Sequence, residues 1–173
     1  GGRLAARLPE PALYEEFVRT GESIANAYET REYAAAIREI MALADRANQY
    51  IDQHKPWLAA KDPARAAEVQ AVCTQGLNLF RVLMGYLLPV VPRMAGEAGE
   101  FLRAPYTGFR ALGEPLVDHL IGEYRPLATR LDPKVVASLV DAPAPEATPA
   151  IATAPAKTKA AATDGKPAVE KTA

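Results

Sequence analysis

The chain has 173 residues, 49% of them hydrophobic, and a formal net charge of −1. This length and composition suffice for one domain with a substantial core, which excludes a fully disordered chain. The near-neutral charge excludes the strongly basic footprint of non-specific nucleic-acid binders.

The ends and the single cysteine indicate the setting of the protein. The chain begins with Gly1 rather than methionine, and no apolar run resembles a signal peptide or a membrane span, so we expect a piece of a longer protein. Cys73 cannot form a disulfide within the chain, which favours a reducing, cytoplasmic location. Because Cys73 lies among Val72, Leu77 and Phe80, we expect it to be a small buried apolar residue.

Proline and glycine divide the sequence into helical stretches, and few runs alternate at a period of two. The predicted fold class is therefore all-α. A first helix is predicted from about Pro11 to Tyr28. A second is predicted to begin with Thr30 as its N-cap and to end before Pro56. Its predicted core stripe comprises Tyr33, Ile37, Ile40, Ala44, Ala47 and Ile51.

A third helix is predicted to begin at Asp62-Pro63, where a capping residue precedes proline at the first helical position. Further apolar residues beside its stripe predict burial on most sides, so it is expected to be the central helix of a bundle. A short helix is predicted within residues 93–102. The predicted stripe of the third helix comprises Val69, Cys73, Gly76, Phe80, Leu83 and Leu87.

The remaining sequence is irregular and then polar. Frequent proline and glycine within residues 103–131 predict a segment that wraps over the bundle, followed by a short helix that begins at Asp132-Pro133. After Asp141 the sequence is rich in Ala, Pro, Thr and Lys and cannot form a core. We therefore predict a helix bundle in residues 1–103, an irregular segment with a short packed helix in 104–141, and a disordered linker in 142–173.

Neither a metal site nor a catalytic centre is predicted. One cysteine and two histidines, with no pair at ligand spacing, cannot make a structural zinc site. His54 lies at a predicted helix end, where a partial positive charge is favourable, and this role is preferred to a catalytic one. A nucleophilic pair of Cys73 and His54 is disfavoured because Cys73 lies on an apolar stripe.

The most informative local feature is the corner Lys55-Pro56-Trp57. Trp57 is the only tryptophan and falls outside the apolar stripes of both flanking helices. It either closes the bundle as a hydrophobic plug or displays its flat face to an unpaired base, a stacking interaction worth about 1–3 kcal/mol. The residues alone leave these two interpretations open.

Three polar residues share one helical face that leads to this corner: Asp45, Asn48 and Asp52, spaced by three and four. Carboxylate and amide oxygens can accept a hydrogen bond from the exocyclic amine of cytosine, and an amide can also donate to a ring acceptor. Taken alone, such a trio is more often a solvated helix face.

Two stretches, residues 36–62 and 72–102, resemble the anticodon-binding helical domain of bacterial methionyl-tRNA synthetases. The resemblance includes the Ala-Asn-x-Tyr run that ends at Tyr50, the Pro56-Trp57 corner and the Gly-Leu-Asn-Leu-Phe-Arg run that ends at Arg81. It is strong over residues 13–102 and thinner beyond them, where Leu131 replaces the more usual isoleucine.

The resemblance implies a helix bundle of the class I aminoacyl-tRNA synthetase type that recognises the CAU anticodon of methionine tRNAs. It implies that Trp57 stacks against the wobble cytosine and that Pro56 sets its pose. Asn48 is the next candidate for an anticodon-loop contact. Asp45 and Asp52 would repel wrong anticodons by their charge, and Arg130 would contact the loop backbone.

The family's HIGH-type and KMSKS-type motifs and its zinc-binding knuckle do not occur in this sequence. We therefore predict no catalytic residue and no cofactor for the fragment, and expect ATP and zinc to belong to the catalytic part of the parent. The family's other anticodon-recognising residues, an Asn and an Arg, would lie upstream of Gly1. Expected partners are methionine tRNA, the parent's catalytic domain and a C-terminal tRNA-binding and dimerising domain, with neither DNA nor a membrane.

Two alternatives remain open at this point. A non-enzymatic helical interaction protein with a disordered tail would show an exposed apolar stripe and self-association, and Trp57 would have no special role. The anticodon domain of another class I synthetase, such as those for cysteine, valine or isoleucine, would keep the bundle and change the preferred anticodon.

Overall fold

The computed structural model describes residues 2–128. Within that range five α-helices follow one another without a β-strand, and the only bridge is an isolated antiparallel pair between Arg3 and Leu120. The predicted all-α class is confirmed. The helices are α1 (Pro11–Glu29), α2 (Tyr33–His54), α3 (Pro56–Ala59), α4 (Ala66–Leu87) and α5 (Pro92–Leu102), with 3-10 turns at Pro63–Arg65 and Phe109–Gly113.

Helix α1 has the predicted start. Pro11 occupies its first turn, where the missing N–H costs no helical hydrogen bond. Its buried residues recur at spacings of three and four, which gives one continuous core-facing stripe. They are Tyr14, Phe17, Gly21, Ile24 and Ala27.

The predicted N-cap of the second helix is wrong. The Thr30 hydroxyl donates to the Asn26 carbonyl at 2.9 Å, so Thr30 closes the end of α1 rather than opening α2. Arg31 then takes a positive φ of 63°, and α2 begins at Tyr33. Threonine readily forms such a bond to a carbonyl four residues earlier, and it competes with capping.

The core-facing side of α2 differs by one residue position from the predicted stripe. Tyr33 is 56% exposed, and the predicted Ile37, Ala44, Ala47 and Ile51 are only half-buried. Because α2 packs against both α1 and α4, the side of α2 that lies between those two helices is buried. Its buried members are Ala36, Ile40, Leu43 and Tyr50.

Helix α4 is central, as predicted, and packs against α1, α2, α3 and α5. The Asp62 carboxylate accepts from the Ala64 amide at 2.9 Å and confirms the predicted cap, although the first turn is 3-10 and the α-helix starts at Ala66. The predicted stripe is wrong in part, because Cys73 is exposed. Desolvation nevertheless raises the pKa of the Cys73 thiol, which disfavours a reactive thiolate at neutral pH.

The buried face of α4 is partly polar, with Thr74, Gln75, Asn78 and Arg81 at most 6% exposed. The first two bind the segment before α1: Thr74 Oγ1 accepts from the Ala5 amide at 2.8 Å, and Gln75 Oε1 accepts from Glu10 at 3.2 Å. Asn78 and Arg81 bind the segment after α5. The polar face therefore holds non-helical backbone whose hydrogen-bonding groups need partners.

The main core lies between α1, α2, α4 and the turn Phe109–Gly113. A smaller apolar cluster of Met84, Ala95 and Ala98 joins α4 to α5. No helix in residues 2–128 has the length and apolarity needed to cross a membrane. Arg130, the helix predicted at Asp132-Pro133 and the linker predicted in 142–173 lie outside the described residues, so the three-part division stays a prediction.

Candidate nucleic-acid interface

The corner after α2 has a defined backbone geometry. Helix α2 ends at His54, as the proline predicts, and Lys55 adopts the left-handed conformation with φ 44° and ψ 57°. The Lys55 amide donates to the Ile51 carbonyl at 2.9 Å, and the Leu58 amide donates to the Lys55 carbonyl at 2.8 Å. A non-glycine residue in this conformation costs about 1–3 kcal/mol, so the surrounding structure must hold it.

Trp57 lies in the single turn of α3 and is 51% exposed. The residue of this turn that faces α4 is Ala59, which is 2% exposed, whereas Leu58 is 49% exposed. The exposure argues against the plug interpretation, because a core plug would bury most of its indole. Pro56 begins the turn and lacks a backbone N–H, so the segment starts with a fixed φ.

Asp45, Asn48 and Asp52 are all exposed on α2. Neighbouring residues show that they lie on the outer side: Arg46 pairs with Glu16 of α1 at 3.0 Å, and Ile51 faces the position of Gly76 in α4. Asp45 and Asp52 are separated by about 10 Å along the helix axis. Within residues 2–128 no side-chain hydrogen bond engages the three, so their polar atoms are available to a ligand.

The cations beside the corner differ in their availability. Arg65 binds Glu68 through Nε at 2.8 Å and Nη2 at 2.5 Å, and this pairing raises the pKa of Arg65 and lowers that of Glu68. Lys55 and Lys61 are exposed, and neither forms an ion pair in the part of the chain that the structure describes. These two ammonium groups flank Trp57 in the sequence and can contact phosphates.

A cluster beneath the corner escaped the sequence-based prediction. His54 Nδ1 lies 2.8 Å from the Tyr50 carbonyl oxygen, and His54 Nε2 lies 3.6 Å from Glu10 Oε1. Tyr50 is 3% exposed, and burial, with the nearby charge of Glu10, raises its pKa to about 12. In the sequence, Glu10 directly precedes the proline that starts α1. This position marks a helix start, but it does not predict a contact with α2.

Of the six predicted site residues, the structure describes five. Trp57 and Pro56 form the corner, and Asn48, Asp45 and Asp52 form the exposed outer face of the helix that leads to it. Arg130 lies outside the described residues. The arrangement offers an aromatic surface that can stack on a flat ring, amide and carboxylate hydrogen-bond acceptors, and two lysines that can contact anionic groups.

Comparison with known proteins agrees with this geometry. Residues 5–112 match a family described as the anticodon binding domain of methionyl tRNA ligase. The methionine–tRNA ligase of Xanthomonas campestris pv. campestris (strain B100) is 49% identical over 163 residues, which cover 92% of this chain and 24% of the relative. That of Stenotrophomonas maltophilia (strain R551-3) is 47% identical over 171 residues, which cover 99% and 25%.

A third relative extends the same pattern. The methionine–tRNA ligase of Xanthomonas euvesicatoria pv. vesicatoria (strain 85-10) is 48% identical over 171 residues, with 96% of this chain and 24% of the relative covered. The chain thus spans about a quarter of the length of the curated relatives it matches. Since the matched region takes in the bundle and its corner, the chain belongs to the family of anticodon-binding domains of methionyl-tRNA ligases.

Proposed function

We propose that this chain is the tRNA-recognition part of a methionine–tRNA ligase and that it binds the CAU anticodon loop of methionine tRNAs. The observation that carries the proposal is the half-exposed indole of Trp57 at the corner after α2 of an anticodon-binding family member. An exposed tryptophan is costly to hydrate, and a stacked base covers it with a gain of about 1–3 kcal/mol.

The first anticodon base, cytosine, stacks on Trp57 in this proposal. Pro56 fixes the start of the α3 turn, so the indole meets the base in one pose with little loss of conformational freedom. Asn48 contributes an amide that can accept from the cytosine amine and donate to a ring acceptor. The stack supplies affinity for any base, and the amide supplies selectivity.

The carboxylates of Asp45 and Asp52 act mainly in discrimination. A carboxylate only accepts hydrogen bonds, so it favours an exocyclic amine and repels carbonyl oxygens or phosphates that a wrong loop would bring near it. Lys55 and Lys61 would contact phosphates, and Arg130 would contact the loop backbone. These backbone contacts set the orientation of the loop without recognising its sequence.

The activity of the whole protein follows as part of the proposal. A separate catalytic domain would use ATP to activate methionine and would transfer it to the tRNA that this bundle selects, in the cytoplasm. That domain is the expected partner in the parent, together with a C-terminal domain that binds tRNA and dimerises. Zinc and ATP would bind to the catalytic part, and the fragment would contribute recognition.

The test uses Trp57, the single tryptophan, as the reporter. The 173-residue chain is titrated with anticodon stem-loops, and the intrinsic fluorescence is followed. One loop carries CAU and a control carries GAU, the isoleucine anticodon, which differs only in the first base. We expect saturable quenching by CAU and binding of GAU that is at least about fivefold weaker, in line with the usual energy of one base contact.

Other outcomes contradict specific parts of the proposal. Equal binding of both loops would mean that the chain binds single strands without recognising the first base. Preference for GAU would favour the isoleucine alternative. The anticodon assignment is wrong if neither loop binds this chain or a longer chain that includes the segment expected upstream of Gly1. Sedimentation equilibrium then tests the alternative of a self-associating helical interaction protein.

A further inference from the structure

The last residue of α2, His54, meets an acceptor at each ring nitrogen. Nδ1 lies 2.8 Å from the Tyr50 carbonyl oxygen, and Nε2 lies 3.6 Å from a carboxylate oxygen of Glu10. The Nδ1 contact is within hydrogen-bond distance, whereas the Nε2 contact is longer. The ring therefore lies between the backbone of its own helix and the start of α1.

Glu10 is itself held by other parts of the bundle. It is the N-cap residue of α1, and its amide donates to Gln75 Oε1 of α4 at 3.2 Å. Gln75 is fully buried, so this hydrogen bond attaches the backbone of Glu10 to the interior of the bundle. Through Glu10, the end of α2 is therefore tied to the start of α1 and the middle of α4.

Lys55 follows His54 in the left-handed conformation, which non-glycine residues keep only where neighbouring contacts hold them. The hydrogen bonds of the Lys55 backbone, with Ile51, Leu58 and Ala59, are all local to the corner. The contact between His54 and Glu10 links the corner to a segment that lies 44 residues earlier in the sequence.

We propose that His54 is a positioning residue whose contact with Glu10 fixes the corner Lys55-Pro56-Trp57 and so the pose of the indole that meets the base. The effect on RNA binding rests on the proposed function, whereas the effect on the indole concerns the protein alone. His54 does not contact the base in this proposal. It acts through the backbone that joins it to Trp57.

The groups around His54 come from three helices and carry charges of both signs. Glu10 faces it from the start of α1, and Tyr50 stacks against its ring from α2, with centroids 4.3 Å apart. On α4, the pKa of Glu68 is lowered mainly by Arg65, and the charge of His54 acts in the same direction. Lys55 is adjacent in sequence. The nearby carboxylates are therefore those of Glu10 and Glu68, and the nearby cations are Lys55 and Arg65, of which Arg65 is already paired with Glu68.

Nuclear magnetic resonance tests the structural half, because one tryptophan gives one indole N–H signal. We expect His54→Gln and Glu10→Gln each to move this signal, and the double variant to move it no further than His54→Gln alone, because both substitutions remove the same contact. His119→Gln is the matched control, since the other histidine contacts the Leu102 carbonyl, and this variant should leave the signal in place.

The second arm measures affinity for the CAU stem-loop in the same variants. The His54→Gln chain should bind about twofold to fivefold more weakly than the unmodified chain, as expected for losing one partly exposed polar contact. His119→Gln should bind like the unmodified chain.

The two arms separate this inference from the proposed function. An indole signal that His54→Gln leaves in place, or moves no more than His119→Gln does, overturns the positioning role whether or not RNA binds. A signal that behaves as expected, with no binding of any loop by any variant, supports the positioning of Trp57 and contradicts the proposed function. Normal binding by His54→Gln overturns the claimed effect on recognition.

Discussion

The side chain of Asn78 exchanges two hydrogen bonds with the backbone of Leu116. Its Nδ2 donates to the Leu116 carbonyl at 2.9 Å, and the Leu116 amide donates to Oδ1 at 2.6 Å. Asn78 is fully buried in α4, so its amide gives a segment without helix or strand the two partners that a strand would otherwise supply. Three residues later, Arg81 donates to the carbonyls of Glu114 and Ala111 at 2.8 Å and continues the same attachment.

Replacing this amide should loosen the attachment. Asn78→Ala removes both hydrogen bonds and leaves Leu116 without protein partners, so we expect the free energy of unfolding to fall by about 2–3 kcal/mol. Urea denaturation measures the change. Asn48→Ala makes the same substitution at an exposed position of α2 and should stay within about 0.5 kcal/mol. Equal effects of the two variants would contradict the role assigned to Asn78.

A side chain at position 21 should destabilise the fold. A Cβ at this position would lie 2.5 Å from the Tyr86 hydroxyl oxygen and 3.0 Å from Cζ, and Tyr86 is fully buried with its hydroxyl donating to the Phe17 carbonyl at 2.9 Å. We expect Gly21→Ala to lower the free energy of unfolding by about 1–3 kcal/mol, because Tyr86 must shift within a packed core.

Gly96 supplies the matched control for that substitution. It lies within α5, and a Cβ there would meet no atom within 4 Å. Gly96→Ala should therefore raise the free energy of unfolding by about 0.5–1 kcal/mol, the usual difference between the two residues in a helix. Thermal or urea unfolding of both variants gives the comparison. Stabilisation by Gly21→Ala would show that Tyr86 does not approach Gly21 as described.

Stability should fall in alkaline solution. Burial raises the pKa of Tyr50, Tyr86 and Tyr106 to about 12, above the value of about 10 for an unfolded chain. The unfolded state therefore releases these protons first, so their contribution is complete below about pH 10 and is lost as the pH rises toward about 12. Each such tyrosine should add about 1.4 kcal/mol per pH unit to the slope within that window.

Tyr86→Phe isolates one of these contributions. Urea unfolding at about pH 9, 10 and 11 should show a smaller decrease in stability for the variant than for the unmodified chain, because one proton fewer is released. The variant should also be less stable at neutral pH by about 1 kcal/mol, since it lacks the hydroxyl bonded to the Phe17 carbonyl. Identical slopes would mean that Tyr86 ionises as readily when folded.

The outer face of α2 should control discrimination more than affinity. Asp45→Asn and Asp52→Asn replace an acceptor-only carboxylate with an amide that can also donate, so we expect the preference for CAU over GAU loops to shrink by about twofold to tenfold. Glu22→Gln, which removes a carboxylate from an exposed position on α1, should leave that ratio unchanged. Competition binding with both loops measures it, and an unchanged ratio in the Asp variants would remove them from the site.

Local signals in the sequence were sufficient for several elements. Pro11 and the spacing after it predicted α1, Pro56 predicted the end of α2, and Asp62 predicted a cap that the structure contains. Each of these depends on a backbone rule that acts over a few residues. The exposure of Trp57 was left open by the sequence, and the structure shows the side chain half-exposed.

The buried polar face of α4 could not be predicted in this way. Periodicity counts apolar residues, whereas Thr74 is buried because it meets Ala5, 69 residues away in the sequence. The same limit hid the contact between Glu10 and His54, and it led to the wrong placement of Cys73 on the core side. The prediction that Thr30 is the N-cap of the second helix was wrong for a local reason, because the same hydroxyl can end one helix or begin the next.

The most direct test of the account compares two neighbouring substitutions, Trp57→Ala and Leu58→Ala. Both side chains are about half exposed, at 51% and 49%, and lie in the same turn, so Leu58→Ala controls for the loss of an exposed apolar side chain at this place. Binding of a dye-labelled CAU stem-loop is followed by fluorescence anisotropy. Stacking predicts that Trp57→Ala weakens binding about fivefold or more, whereas Leu58→Ala changes it less than about twofold. Equal effects, or none, would contradict the assignment of Trp57 as the residue that meets the anticodon.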